Sequence, residues 1–287
     1  MPSYDVSGPI DLDVTAGVAF VDIVASDRPD AVVEIVPSRA GRGGDESLAR
    51  DATVTFDNGR VRVKVPRRLN LFTKGDSVDV RCEVPTGSRV TVENTYGSVL
   101  TRGVLGDARV VVKYGGLTAD TVADLVLEAP YGTSAIAEVT GRLDVTIGHG
   151  AVRIAEVRGD ARLRASHGGI ELGTTAGNVE VASSGPLTID RALGDVTARS
   201  AHGPIRIREV GGGTIRLDNG YADIDVGVPT GVAAWIDASS ANGRVRNELT
   251  PDPEAAGSDR TVELHLHANY GNVFVRRVTN PRREGTT

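Results

Sequence analysis

One cysteine, one methionine and one tryptophan occur in 287 residues. The single thiol, Cys82, excludes an intramolecular disulfide and a cysteine-based metal cluster. Aromatic residues make up only 4% of the chain. No run approaches the roughly 18 apolar residues that a membrane-spanning helix needs. Lysine is almost missing: Lys64, Lys74 and Lys113 are the only three, and the other basic residues are arginine. The net charge of −6 argues against a general nucleic-acid-binding surface. The start, Met1-Pro2-Ser3-Tyr4-Asp5-Val6, lacks the basic segment and apolar core of a secretory signal. The expectation is a soluble, cytoplasmic protein. No Gly-x-Ser-x-Gly elbow, phosphate loop or dinucleotide fingerprint appears, so neither a catalytic residue nor a cofactor is expected.

Glycine is what the chain has instead: 35 residues, regularly placed. Gly97, Gly115, Gly132, Gly150, Gly168, Gly185, Gly203 and Gly220 follow one another at 17 or 18 residues. A second series lies half a period away, at Gly106, Gly141, Gly159, Gly177, Gly194 and Gly212, with Asp124 in its one vacancy. A fixed period with glycine at each corner predicts an all-β, right-handed parallel β-helix, or β-solenoid, of about 17–18 residues per coil. Within a half-coil, Ala161, Leu163 and Ala165 alternate with Arg162 and Arg164, as strand geometry requires. The same inward set recurs at Leu143/Val145/Ile147, Val179/Val181/Ser183 and Val196/Ala198/Ser200. The other half-coil repeats as Ile170/Leu172, Leu187/Ile189, Ile205/Ile207 and Ile224/Val226.

The flanks read as β-rich end caps. Residues 1–89 form an amino-terminal strand cap continuous with the coils, broken by turns at Gly17 and Pro29, with a hairpin at Asn58-Gly59. Residues 37–52 and 66–77 read as exposed loops. The coils occupy 90–250, closing strands lie within 251–277, and 278–287 form a disordered tail. Strand edges at the ends of a solenoid need covering, and 232–277 with the amino-terminal strands are expected to do this.

Tyr-Gly-x-Val and His-Gly-x-Ile corners, with a Val-Pro-Thr-Gly entry, resemble the bacterial putative adhesin family of β-strand-repeat proteins. The matching stretches are Tyr96-Gly97-Ser98-Val99, His167-Gly168-Gly169-Ile170, His202-Gly203-Pro204-Ile205 and Tyr270-Gly271-Asn272-Val273. The resemblance covers roughly 5–277. It implies a β-helical fold and a family of largely unknown function, with no catalytic residues to carry over.

The residue before each corner glycine forms a series: Tyr96, Tyr114, Tyr131, His149, His167, Ser184, His202 and Asn219. It reads either as a corner ladder that stacks on itself or as an aromatic and imidazole stripe for a glycan or peptide. Leu69, Leu71 and Phe72, between Arg67 and Lys74, are either a partner or membrane contact or part of the end cap. Glu263, His265 and His267 share one face of a strand and are weak candidate metal ligands, more simply a solvated face. Asp107, Asp160 and Asp195 each follow a corner glycine, which is turn chemistry; the nonapeptide that binds calcium in β-rolls is absent. The sequence therefore predicts a non-enzymatic binding or scaffolding module for a protein or glycan partner, with self-association through the solenoid ends open to it. A self-assembling bactofilin-like scaffold and a carbohydrate-active β-helix enzyme are the alternatives.

Overall fold

A computed structural model describes residues 2–67, 75–250 and 260–278. The protein is all-β with one short helix among these residues, and it divides into two compact units, 1–150 and 151–287.

Unit 1 begins with β1 (Ser3–Asp5), β2 (Asp11–Ser26) and β3 (Asp30–Pro37), then α1 (Gly43–Asp51), β4 (Thr53–Asp57), β5 (Arg60–Lys64) and β6 (Val78–Pro85). It continues through β7 (Arg89–Tyr96), β8 (Val99–Leu105), β9 (Ala108–Tyr114), β10 (Leu117–Val122), β11 (Leu125–Val139) and the first half of β12 (Leu143–Val157). From β7 onward each strand pairs in parallel with the strand one repeat later: Val92 with Val110, Leu127 with Val110 on the far side, Leu117 with Val99. Inward residues such as Val92, Val110, Leu127 and Val145 are fully buried. Burial of a Val or Leu side chain contributes about 1.5–3 kcal/mol, and the stacked rows form the core.

β2 is unbroken, contrary to the expected turn at Gly17. Its inward residues run Leu12, Val14, Ala16 and then, one residue out of phase, Ala19, Val21, Ile23 and Ala25. The first stretch lies between β5 and β7, and the second between β6 and β8. Gly17 therefore marks a change of face inside one strand. Pro29 does fall between strands. Outside this first coil the strands turn antiparallel: β4 on β5, β3 on β6, and β1 on β3. Asn58 (φ 48°) and Gly59 (φ 73°) form the hairpin turn between β4 and β5. Tyr4 of β1 stacks on Phe56 of β4 with ring centroids 4.8 Å apart.

Residues 37–52 are not the exposed loop that their polar composition suggested, because α1 lies within them. Its nine residues are too few to display a helical period, and Leu48 is the large apolar side chain it buries. A buried carboxylate holds it instead. Asp45 accepts hydrogen bonds from Arg39 Nε (2.8 Å) and Nη2 (3.0 Å) and from the Ser77 backbone N–H (3.0 Å). The Arg39 guanidinium holds the Asp45 carboxyl below its ordinary range. The second expected loop is described only at its ends; Leu69, Leu71 and Phe72 lie outside the described residues.

Unit 2 holds β13 (Ala161–Ala165), β14 (Gly169–Thr175), β15 (Val179–Ser183), β16 (Leu187–Ala192), β17 (Val196–Ser200), β18 (Ile205–Val210), β19 (Gly213–Asn219) and β20 (Ile224–Pro229). After them come β21 (Ala233–Ser240), β22 (Val245–Glu248), β23 (Thr261–Ala268) and β24 (Val273–Val278). All pair in parallel, in two columns. One runs β13, β15, β17, β19, β23, β21; the other runs from the second half of β12 through β14, β16, β18, β20 and β24 to β22. The final pair of strands in sequence thus sits between its two predecessors and the rest of the column. Leu163, Val181, Ala198, Leu217 and Leu266 form one continuous buried row, in the inward register expected. The outermost coil is different: Ala234, Ile236 and Ala238 of β21 are only half-buried and all of β22 is exposed. Val278, expected as the start of the tail, is the last residue of β24 and pairs with Pro229; 251–259 and 279–287 lie outside the described residues.

Two predictions follow from this packing. Val145→Asp in unit 1 or Leu163→Asp in unit 2 places a charge where the side chain is fully buried, at a cost of several kcal/mol. Thermal unfolding followed by circular dichroism should show loss of the cooperative wild-type melt; an unchanged melt contradicts the register. Asp45 gives a pH dependence. Its carboxyl titrates lower in the folded state than in the unfolded chain, so its contribution is full above the ordinary aspartate pKa of about 3.9 and is lost as pH falls through the folded value. Asp45→Asn should therefore flatten the acid limb of stability in urea titrations from pH 6 to pH 2, which an unaltered acid limb would refute.

Candidate functional site

Parallel register places identical corner positions directly beside one another, so a side chain at a corner meets its counterpart from the next coil. In unit 1, Tyr96 pairs with Tyr114 and Tyr114 with Tyr131. Their ring centroids are 4.7 and 5.1 Å apart, with planes within 9° of parallel. His149 continues the row at 5.5 Å from Tyr131 and 5°. These separations match the strand spacing of about 4.8 Å, so the sheet itself sets the stacking distance. The three tyrosines remain 49%, 46% and 46% exposed. Because both faces of Tyr114 and Tyr131 are covered by neighbouring rings, the surface these offer to solvent is a line of ring edges and phenol hydroxyls.

The glycine after each ring makes this stacking possible. Gly115 and Gly132 have φ of 150° and 141°, and a Cβ at either would come closer than 3.0 Å to the carbonyl oxygen of the corner glycine one coil before. A side chain there would push the coils apart.

Unit 2 carries a second row. His202 stacks on Tyr221 at 5.2 Å and Tyr221 on Tyr270 at 5.3 Å, the latter pair within 4° of parallel. His167 is exposed at its corner, and Ser184, half-buried, holds a corner position without a ring. Asn219 does not belong to the row. It pairs with Ser200, is buried, donates to Gly203 O (2.9 Å) and accepts from the Tyr221 and Ala222 N–H groups. Gly220 is correspondingly out of step with the other seven glycines. The pairing of Val196 with Ile215 spans 19 residues rather than 17 or 18, because Gly211-Gly212-Gly213 lengthens the preceding turn. Tyr221 was hidden by this shift. Counting back three residues from the first inward residue of the following strand finds it: Ile205 gives His202, Ile224 gives Tyr221 and Val273 gives Tyr270.

The other candidates resolve into local structure. Glu263, His265 and His267 do share the outer face of β23. His265 Nε2 lies 3.9 Å from Glu263 Oε2 and its Nδ1 lies 3.7 Å from Asp237 Oδ2, whereas His267 Nδ1 is 3.0 Å from Ser239 Oγ. The two imidazoles face different partners, and no three ligating groups converge among the described residues. Trp235, 56% exposed, leans on His265 at 5.1 Å. Asp124, Asp160 and Asp195 accept backbone N–H bonds from Arg142 (2.7 Å), Asn178 (3.0 Å) and Thr214 (2.8 Å) in the following coil. The half-period aspartates are thus turn caps between coils.

Outward charges pair sideways. Arg153 meets Glu171 at 2.5 Å, Arg162 meets Glu180 at 2.7 Å, and Asp11 is held between Arg89 (2.7 Å) and Arg60 (2.9 Å). Arg153 lowers the Glu171 pKa, and Arg89 followed by Arg60 lowers that of Asp11. Lowered carboxylates are the opposite of what a general acid requires. Burial pushes the Cys82 thiol up to about 12, which removes it as a nucleophile.

No protein-family model and no curated protein matches the sequence. Among solved structures the chain is similar to a putative adhesin from Parabacteroides merdae, with 12% identity over 79% of this chain and 93% of that chain and a TM-score of 0.50. A putative cell adhesion protein from Clostridium sporogenes matches 96% of this chain and 98% of its own at 9% identity and a TM-score of 0.24. A putative adhesin from Bacteroides fragilis matches 96% and 95% at 10% identity and a TM-score of 0.32. The likeness to the P. merdae structure shows a shared fold, as the resemblance of the corner motifs implied.

The stacked row can be tested by substitution. Tyr114→Ala removes two ring contacts, each about 0.5–1.5 kcal/mol, and should lower stability by about 1–3 kcal/mol. Tyr114→Phe keeps both contacts and should be near neutral. Gly132→Ala should cost at least as much as Tyr114→Ala, since it adds backbone strain of about 1–3 kcal/mol. Chemical denaturation of the three variants checks the order; equal stability of Gly132→Ala and wild type would contradict the close approach.

Proposed function

We propose that the protein is a non-enzymatic binding module, built as a right-handed parallel β-solenoid, that holds an extended, hydroxyl-rich polymer along the tyrosine row of unit 1. The handedness follows from the crossover rule, since parallel connections in one sheet are almost always right-handed. The observation that carries the binding reading is the exposed row of Tyr96, Tyr114 and Tyr131, whose hydroxyl-bearing edges repeat at the coil spacing.

The chemistry selects the partner class. An aromatic face would suit the apolar face of a sugar ring, but within the row the faces of Tyr114 and Tyr131 already cover each other and their neighbours. What remains is a line of phenol groups that donate and accept hydrogen bonds about 5 Å apart. An extended peptide repeats at about 3.3 Å per residue and falls out of step with such a line. A glycan chain, with several hydroxyls on every unit, can satisfy it at each ring.

Binding to soluble polysaccharides of different linkage, screened on an array and measured by calorimetry, tests the reading. The combined variant Tyr96→Phe, Tyr114→Phe, Tyr131→Phe removes the hydroxyls and keeps the stack. Three hydrogen bonds at about 0.5–1.5 kcal/mol each exceed the roughly 1.4 kcal/mol of a tenfold change, so affinity should fall at least about tenfold. Equal affinity of this variant and wild type for a bound glycan would reject the row as the site. Failure to bind any glycan would move the partner to the protein class.

A further inference from the structure

We infer that the outermost coil of unit 2 is a dimer interface, and that its occupant is the same coil of a second copy of this chain. The inference is independent of the tyrosine row.

Among the described residues, β21 pairs only with β23 and β22 only with β24. The Ala233 N–H donates to Arg260 O in the segment leading into β23 (3.0 Å). Backbone direction alternates along a strand, so Ala234, Ile236 and Ala238 turn their N–H and C=O groups to the opposite, open edge. The same three residues point inward, as the end of the row Ile215, Leu264, Ile236 and its neighbours. Ile215 and Leu264 are fully buried and Ile236 is not. On β22, Val245 is 44% exposed. Among the described residues the coil therefore ends in two open strand edges with an unfinished apolar row between them, the arrangement that seeds strand addition.

Residues 251–259 read PDPEAAGSD and 279–287 read TNPRREGTT, with no Val, Leu, Ile, Met or aromatic residue. A single peptide strand would pair with one edge and leave the other. Two strands at matching separation with an apolar row between them are what a second copy of the coil supplies. Among the described residues of unit 1 the outermost strands, β1 and β4, are instead antiparallel additions joined by the Tyr4–Phe56 ring pair. Like must therefore meet like, in an isologous contact that closes at two chains.

The coil is self-complementary in that arrangement. Antiparallel pairing of β21 with its copy about Ile236 sets Ile236 against Ile236, Ala234 against Ala238, and Trp235 against Asp237. On β22, Arg246 and Glu248, two residues apart, are brought face to face with the unlike charge of the copy. Like charges do not meet in either register.

Sedimentation velocity at tens of micromolar protein should give twice the chain mass of 30.0 kDa. Ala238→Pro removes an N–H on the open edge and no backbone bond to β23; it should give a monomer that still melts cooperatively, with a melting temperature that, unlike the wild type's, does not rise with protein concentration. Ile236→Lys should also give the monomer; should it loosen the coil itself, Ala238→Pro and Val245→Lys decide the matter. A monomeric wild type, a dimer that survives Ala238→Pro and Val245→Lys together, or an open series of larger assemblies would each overturn the interface proposed.

Discussion

The backbone ladder between successive coils is the constraint from which the other features derive. Parallel strands hold one another about 4.8 Å apart, and the corners must close to the same distance. Glycine at Gly115 and Gly132 allows this, because each corner packs against the carbonyl oxygen of the previous one. Once the corners are level, an outward side chain meets the residue at the same position of the next coil. The rings of Tyr96, Tyr114, Tyr131 and His149 stack, Arg162 reaches Glu180, and Asp160 caps the backbone of Asn178. None of these contacts needs a special arrangement of its own. They are copies of one register.

That economy explains which parts of the molecule could be read from the sequence. The inward rows were legible because alternation is local: Leu163, Val181 and Ala198 declare themselves within five residues of their own strand. Corner positions were legible while turn length stayed constant. One longer turn at Gly211-Gly212-Gly213 moved the count, and Asn219 took the place that belongs to Tyr221. The helix α1 was not legible, since an ion pair from Asp45 to Arg39 stabilises it rather than an apolar stripe. Nor was the continuity of β2 through Gly17, which depends on strands β5 to β8 far along the chain. The placement of β23 and β24 between earlier strands is a long-range choice on which local patterning is silent.

The two candidate surfaces use the coil in different ways. The tyrosine row draws on the repeat itself, presenting one chemical group several times at a spacing set by the sheet. The last coil of unit 2 draws on the point where the repeat stops, with Ile236 half-buried and two strand edges unpaired among the described residues. Exposed ion pairs such as Arg153–Glu171 contribute little stability, about 0–1 kcal/mol each.

The interleaving of β23 and β24 changes how the carboxy-terminal part of unit 2 can come apart. In a simple stack, the strand nearest the chain end is held along one edge and frays first. Here β24, the last described strand, is held along both edges, by β20 and by β22. The coil held along one edge, β21 with β22, is tethered to the chain on both sides. If it detaches, it forms a closed loop rather than a free end, and a loop gains less conformational freedom than a tail of the same length. The ordinary fraying point of a repeat protein has thereby been replaced by one that opens without releasing an end.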